Sequence, residues 1–190
     1  VVEYLRKNNI GKLDMIVITH SHPDHLEGLL TVLERYSVDM IVVNKHIIIN
    51  EPYAAFTDLA EKYGIPLRQV KTGDSIEWFQ DAALVVLHPT NLSGDSNRDS
   101  LVLRLEYKNV RFLFTSDIDQ EGCELLADKH GSELSSNVLK VPYHGKSGDG
   151  DFIKMLAPEY AVVSVGKSIW PGPSERVLHE YVRLKIPVLR

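Results

Sequence analysis

The apolar positions fall into short runs whose period switches repeatedly between that of a strand and that of a helix. Met15-Ile16-Val17-Ile18 and Ile41-Val42-Val43 are unbroken apolar runs of strand length. Between and after them the apolar residues recur at three- and four-residue spacing. This predicts helices over 1–9, 25–36 and 51–63, and strands over 13–19, 38–44 and 67–70. Pro52 opens the third helix in its first turn and Gly64 closes it. Strands follow over 75–79 and 83–87. The stretches 100–107 and 110–115 then alternate apolar and polar residues about Lys108-Asn109, which reads as a β-hairpin. Beyond it the pattern predicts a helix over 118–129, strands over 138–141 and 160–165, and helices over 152–156 and 174–185. Ser174 caps the last helix and Glu175 stands in its first turn. A βαβ-like half followed by antiparallel strands suits an α+β sandwich of two sheets covered by helices.

At 190 residues and 44% hydrophobic content the chain is long enough for one domain, 1–190, with a full core. No apolar stretch reaches the roughly 20 residues needed to span a bilayer. Cys123 is the single cysteine, set mid-helix, which excludes an internal disulfide. Val1 is not a natural start, so a removed leader is compatible with the sequence and the compartment is left open. The net charge of −5 comes without any long basic run. It argues against tight, sequence-independent nucleic-acid binding.

The chemistry concentrates in Thr19-His20-Ser21-His22-Pro23-Asp24-His25, set between the strand over 13–19 and the following helix. Three imidazoles and a carboxylate at a strand end make a metal site, because borderline metals take imidazole nitrogen and carboxylate oxygen together. With 8 histidines in the chain, a chance match to this spacing is about one in a thousand. The competing reading is a polar, histidine-rich surface loop. His20 and His22 can point one way off the strand end, while Asp24 and His25 can turn toward a second ion.

The motif His-x-His-x-Asp-His resembles the signature of the metallo-β-lactamase superfamily. That resemblance implies an αββα four-layer sandwich with one or two metal ions at the sheet edge, and three further ligands downstream. Asp117 stands where the Asp is expected, at the end of the hairpin; its other reading is as N-cap of the helix over 118–129. His144, after the apolar strand Val138-Leu139-Lys140-Val141, stands where the last His is expected. The segment 91–100 holds no histidine for the middle position, and His88 is a weaker candidate, read first as a loop residue. The pattern Asn97-x-x-Ser100-Leu101-Val102-Leu103-Arg104-Leu105 is similar to one branch, the metallo-β-lactamase-like domain of ComEC competence proteins and its stand-alone relatives, which include phosphorylcholine esterases. The similarity runs over about 11–190. Compared with that branch, Tyr143 replaces the first of two paired histidines, Lys146 a serine and Ser116 a glycine, and Trp170-Pro171-Gly172-Pro173 replaces Tyr-Gly-His-Pro. The superfamily pattern also implies strands before Val1 and after Arg190, so the sandwich is expected to lack its first and last strands.

The resemblance thus implies a metal-dependent hydrolase with two divalent ions, Zn or Mn, and a bridging hydroxide. His20, His22 and Asp117 are expected at the first ion, and Asp24, His25, His144 and the shared Asp117 at the second. Each imidazole is expected to donate its other N–H to an outer oxygen, with Thr19 and Ser21 as candidates. Asp24, Tyr143 and Lys146 are the expected catalytic residues: the phenol donates a hydrogen bond or a proton, and the ammonium offsets phosphate charge. Packing and solvation are the plain alternatives for Tyr143 and Lys146. Asn97 either orients substrate or takes the place of the missing histidine, and Ser100 braces that loop. The expected substrate is a small-molecule or oligonucleotide phosphodiester. Two other readings stand beside it: a non-catalytic metal-binding module of a DNA-uptake protein, and hydrolysis of thioesters, lactones or lactams.

Overall fold

The computed structural model describes residues 1–79, 81–166 and 172–190. Of Trp170-Pro171-Gly172-Pro173, the first two residues lie outside the described set. The contacts divide the chain into two compact units, Val1–Lys71 and Thr72–Arg190. Both mix helices with sheet, so the class is α+β. No helix among the described residues is long and apolar enough to cross a membrane.

The first unit runs α1 (Val2–Lys7), β1 (Lys12–Ile18), α2 (Pro23–Arg35), β2 (Ser37–Asn44), α3 (Glu51–Lys62) and β3 (Leu67–Val70). Its three strands form a parallel sheet in the order β1-β2-β3, with Ile16 beside Ile41 and Ile18 beside Val43. Ile41, Val42 and Val43 are all fully buried, which is why the middle strand reads as an unbroken apolar run. Ile16, Ile18, Leu26, Val32 and Phe56 form the centre of this core. Each such side chain contributes about 1.5–3 kcal/mol by leaving water. Helix α2 starts two residues earlier than its periodicity suggests. Pro23, with its φ preset and no N–H to lose, takes the first helical position, and His22 becomes the N-cap residue. Asp24 and His25 therefore sit on a helical turn rather than in a loop. Helix α1 is shorter than expected, ending at Lys7 with Asn8 in the C-cap position.

The second unit holds β4 (Ser75–Phe79), β5 (Ala82–His88), β6 (Val102–Tyr107), β7 (Val110–Phe114), α4 (Gln120–His130), β8 (Val138–Lys140), α5 (Gly150–Leu156), β9 (Tyr160–Val162), α6 (Glu175–Arg183) and β10 (Val188–Leu189). The strands make one sheet in the order β10-β9-β8-β7-β6-β5-β4. From β4 to β7 the pairing is antiparallel, and from β7 to β10 it is parallel. The hairpin β6–β7 turns on Lys108-Asn109, with Lys108 at φ +52. Leu113, Leu126, Leu139, Ile153 and Tyr181 lie in a core between this sheet and its helices.

Three local expectations are corrected. Helix α4 begins at Gln120 because Asp119 caps it, its Oδ1 accepting from Gly122 N at 2.8 Å. The capping alternative for Asp117 is thereby removed, and Ile118 is core. Strand β9 stops at Val162 instead of continuing to 165. Ser174 holds the N-cap position of α6, but its side chain makes no capping hydrogen bond.

Candidate metal centre

In the first unit the candidate ligands leave the carboxyl end of β1. His20 is buried, and its ring centroid lies 4.8 Å from that of His22 and 4.2 Å from that of His25. Three imidazoles thus share one corner. Thr19 Oγ1 and His20 Nδ1 are hydrogen-bonded at 3.1 Å, the outer oxygen expected for a ligand histidine. Asp24 Oδ2 stands 3.7 Å from His25 Nε2; its position in the first turn of α2 suits a negative charge at a helix N-terminus. The turn is clamped from α3. Asn50 caps that helix with Oδ1, accepting from Tyr53 N, while its Nδ2 donates to Ser21 O at 2.8 Å. Asn50 escaped the sequence reading, although an Asn before a Pro-opened helix is a legible cap. Ser21 does bear on the turn, but through its carbonyl.

In the second unit the site follows from topology. Strands β7 and β8 are parallel neighbours with Phe114 beside Lys140, so their carboxyl ends reach one sheet edge together. Asp117 lies just past the first and His144 just past the second. Asp117 is buried, and its Oδ2 lies 3.1 Å from His144 Nε2. The opposite ring nitrogen, His144 Nδ1, is 2.7 Å from Ser164 O. A carbonyl only accepts, so Nδ1 carries the proton and Nε2 faces the carboxylate. That arrangement is how a metal-ligating histidine is oriented. Asp117 also raises the His144 pKa, with burial working against it.

Backbone strain gathers at this edge. Ser116 has φ +49, and Tyr143, His144 and Gly145 follow one another at +46, +53 and +87. Left-handed residues other than glycine cost about 1–3 kcal/mol each and collect at functional loops. The two loops are tied by Tyr143 N donating to Ser116 O at 3.1 Å. Gly145 is required: a Cβ there would meet Pro173 Cβ at 2.5 Å. Lys140, which the sequence reading passed over as part of a strand, reaches the same place. Its Nζ donates to Ser116 O at 2.7 Å and lies 3.4 Å from Asp117 Oδ1. Burial lowers its pKa, while Asp117 opposes that shift.

The segment that lacks a histidine presents Asn97 instead. Asn97 Nδ2 donates to the Tyr143 hydroxyl at 3.0 Å, and Lys146 Nζ stands 5.0 Å over the Tyr143 ring. The segment is fixed from several sides. Buried Asp99 accepts from Ser93 N and Gly94 N, and Arg98 pairs with Asp119 and Glu121. His88 Nδ1 accepts from Thr90 N and its Nε2 donates to Arg98 O, so both nitrogens are engaged in holding this loop. Burial lowers its pKa. Ser100 braces the loop through its backbone N–H, which donates to Asn97 O at 3.0 Å. The donor chemistry of both groups therefore suits divalent cations. Oriented imidazole nitrogen stands beside carboxylate oxygen in each unit.

Residues 3–135 match the family model described as the beta-lactamase superfamily domain. The chain belongs to this family. The match contains the turn from His20 to His25 and Asp117, and ends before Tyr143, His144 and Lys146. Two curated relatives cover the whole chain, each at 29% identity: ComE operon protein 3 of Bacillus subtilis and competence protein ComA of Neisseria gonorrhoeae. The chain spans about a quarter of their length, 25% and 26%. Among solved structures, the metallo-β-lactamase fold protein YhfI of Bacillus subtilis is similar over 98% of this chain and 78% of its own, at TM-score 0.63 and 12% identity. A diphosphatase of the PhnP family covers 100% of this chain and 73% of its own, at TM-score 0.54 and 16% identity. The diiron β-hydroxylase CmlA of Streptomyces venezuelae covers 92% and 41%, at TM-score 0.57 and 15% identity. These likenesses show the metallo-β-lactamase fold.

Proposed function

We propose that the chain is a metal-dependent hydrolase acting on phosphodiesters at a dinuclear centre. The observation that carries the reading is the orientation of His144, whose Nδ1–H is spent on Ser164 O while Nε2 sits beside buried Asp117. In this reading His20, His22 and Asp117 hold one divalent cation, and Asp24, His25, His144 and the shared Asp117 hold the second. Two such cations, Zn or Mn, supply Lewis acidity and offset phosphoryl charge. Family membership, with the dinuclear iron named for CmlA and the diphosphatase named among the similar structures, supports metal-centred phosphate chemistry.

The chain's own groups then have separate tasks. Asn97 holds the Tyr143 hydroxyl as an acceptor, which leaves the phenolic proton for a phosphoryl oxygen or a departing alkoxide. Lys146 is exposed beside that ring and offsets charge on a non-bridging oxygen. Asp24, exposed on the first turn of α2, acts as a ligand that also handles a proton. A second reading, a non-catalytic module of a competence protein, is favoured by the commitment of Asn97 to Tyr143, in a segment without a histidine.

The test combines metal stoichiometry with turnover of bis(p-nitrophenyl) phosphate in Mn²⁺ or Zn²⁺. About two ions per chain and turnover that Asp117→Ala lowers on the order of a thousandfold support the hydrolase. Folded, metal-loaded protein that turns over neither this diester nor a chromogenic lactam or thioester supports the second reading.

A further inference from the structure

Lys140 ends β8 with its side chain 19% exposed, yet its ammonium turns into the loop that carries Asp117. An ammonium withdrawn from water stands only where acceptors surround it. Here they are Ser116 O at 2.7 Å and Asp117 Oδ1 at 3.4 Å. The clasp is reciprocal, because the Thr115 hydroxyl donates to the backbone carbonyl of Lys140. Three consecutive residues after β7, Thr115, Ser116 and Asp117, are thus held by the one residue ending β8. The middle one, Ser116, has φ +49, the conformation that aims Asp117 off the strand end. Asp117 Oδ1 faces Lys140, and its other oxygen, Oδ2, faces His144 Nε2.

We propose that Lys140 is a positioning residue. Its ammonium pins the Ser116 carbonyl and one carboxylate oxygen of Asp117, so that the other oxygen is presented together with His144 Nε2 to a divalent cation. This rests on the preceding reading that Asp117 and His144 are ligands.

Charge and orientation make opposite predictions here. An ammonium near a cation site repels the cation, so loss of the charge alone tightens metal binding. Loss of orientation weakens it, by the tenfold to hundredfold typical of groups that brace metal ligands.

The experiment is a Mn²⁺ titration of the folded chain, followed by the electron paramagnetic resonance of free Mn²⁺, for wild type, Lys140→Met and Lys140→Arg. Thermal unfolding in chelator establishes that each variant is folded. The expected result is Mn²⁺ affinity about tenfold to a hundredfold weaker in Lys140→Met, with partial recovery in Lys140→Arg, which keeps charge and donors. Should Lys140→Met not fold, Lys140→Leu carries the test, since it likewise lacks both the charge and the donor to Ser116 O. Affinity in the neutral variant that equals or exceeds the wild type overturns the positioning role while leaving the metal reading intact. A wild-type chain that binds no Mn²⁺ or Zn²⁺ overturns both.

Discussion

All four candidate ligands of the first unit lie between His20 and His25, in the link after β1 and the first turn of α2, and a strand, a proline-opened helix and the Asn50 clamp hold them. Asp117 and His144 instead come from two loops that meet because β7 and β8 are parallel neighbours, and Ser116, Tyr143 and His144 take left-handed backbone to aim them. The first arrangement is local and built from unstrained elements. The second stores strain and depends on long-range pairing to hold it. Function placed on the second is therefore the more sensitive to backbone change, and matched substitutions in the two regions expose the difference.

The largest expected effect is at Gly145. Gly145→Ala puts a Cβ 2.5 Å from Pro173 Cβ at a residue with φ +87, where no side chain is at ease. Strain and overpacking together should cost about 3 kcal/mol, read as a lower urea midpoint with an unchanged slope. A loss below about 1 kcal/mol would mean that this loop yields easily, and the contrast between the regions would collapse.

Tyr143→Phe probes the same loop without touching its backbone. It removes the acceptor of Asn97 Nδ2 and the proposed proton donor while leaving the Lys146 contact with the ring. Turnover of the diester should fall about tenfold to a hundredfold with metal content unchanged, and stability should fall by about 1 kcal/mol. A variant as fast as wild type would remove Tyr143 from the chemistry and leave it a strut for Asn97.

The counterpart in the first region is Gly28, exposed in α2, where a Cβ meets nothing within 4 Å. Gly28→Ala should raise stability by about 0.5–1 kcal/mol, because helix interiors favour alanine by that margin. The same substitution thus carries opposite signs in the two regions, and a destabilised Gly28→Ala would show that the turn bearing Asp24 and His25 relies on slack in its helix.

This contrast also accounts for what the sequence disclosed. The turn from His20 to His25 is legible because its ligands are contiguous and its flanking periods are clear. Asp117 was legible as a strand-end carboxylate next to a competing cap, and only the structure shows that Asp119 takes the cap. Lys140 was not legible. A lysine ending a three-residue strand looks like a solvated residue until the register with Phe114 turns it toward Ser116. The short strand β9 was overestimated because apolar residues continue to Val165 after the pairing with β8 has ended. Nothing local in Tyr143-His144-Gly145 beyond the glycine announces three left-handed residues in a row.

The smallest effect concerns pH. In metal-free protein Asp117 raises the His144 pKa above the ordinary histidine value. A raised folded-state value means the pair stabilises fully below the unfolded value of about 6.5 and is lost as pH rises through the folded value. His144 is 30% exposed, so screening limits the contribution to a few tenths to about 1 kcal/mol. The difference in urea stability between wild type and His144→Gln, measured in chelator, should therefore be larger near pH 5.5 than near pH 8.5. Metal affinity should run the other way, rising over the same interval, because Nε2 must give up its proton before it can bind a cation. Proton and metal compete for one nitrogen beside one carboxylate. A stability difference that does not change with pH would mean that the imidazolium gains nothing from Asp117 across the 3.1 Å contact, and the competition would vanish with it.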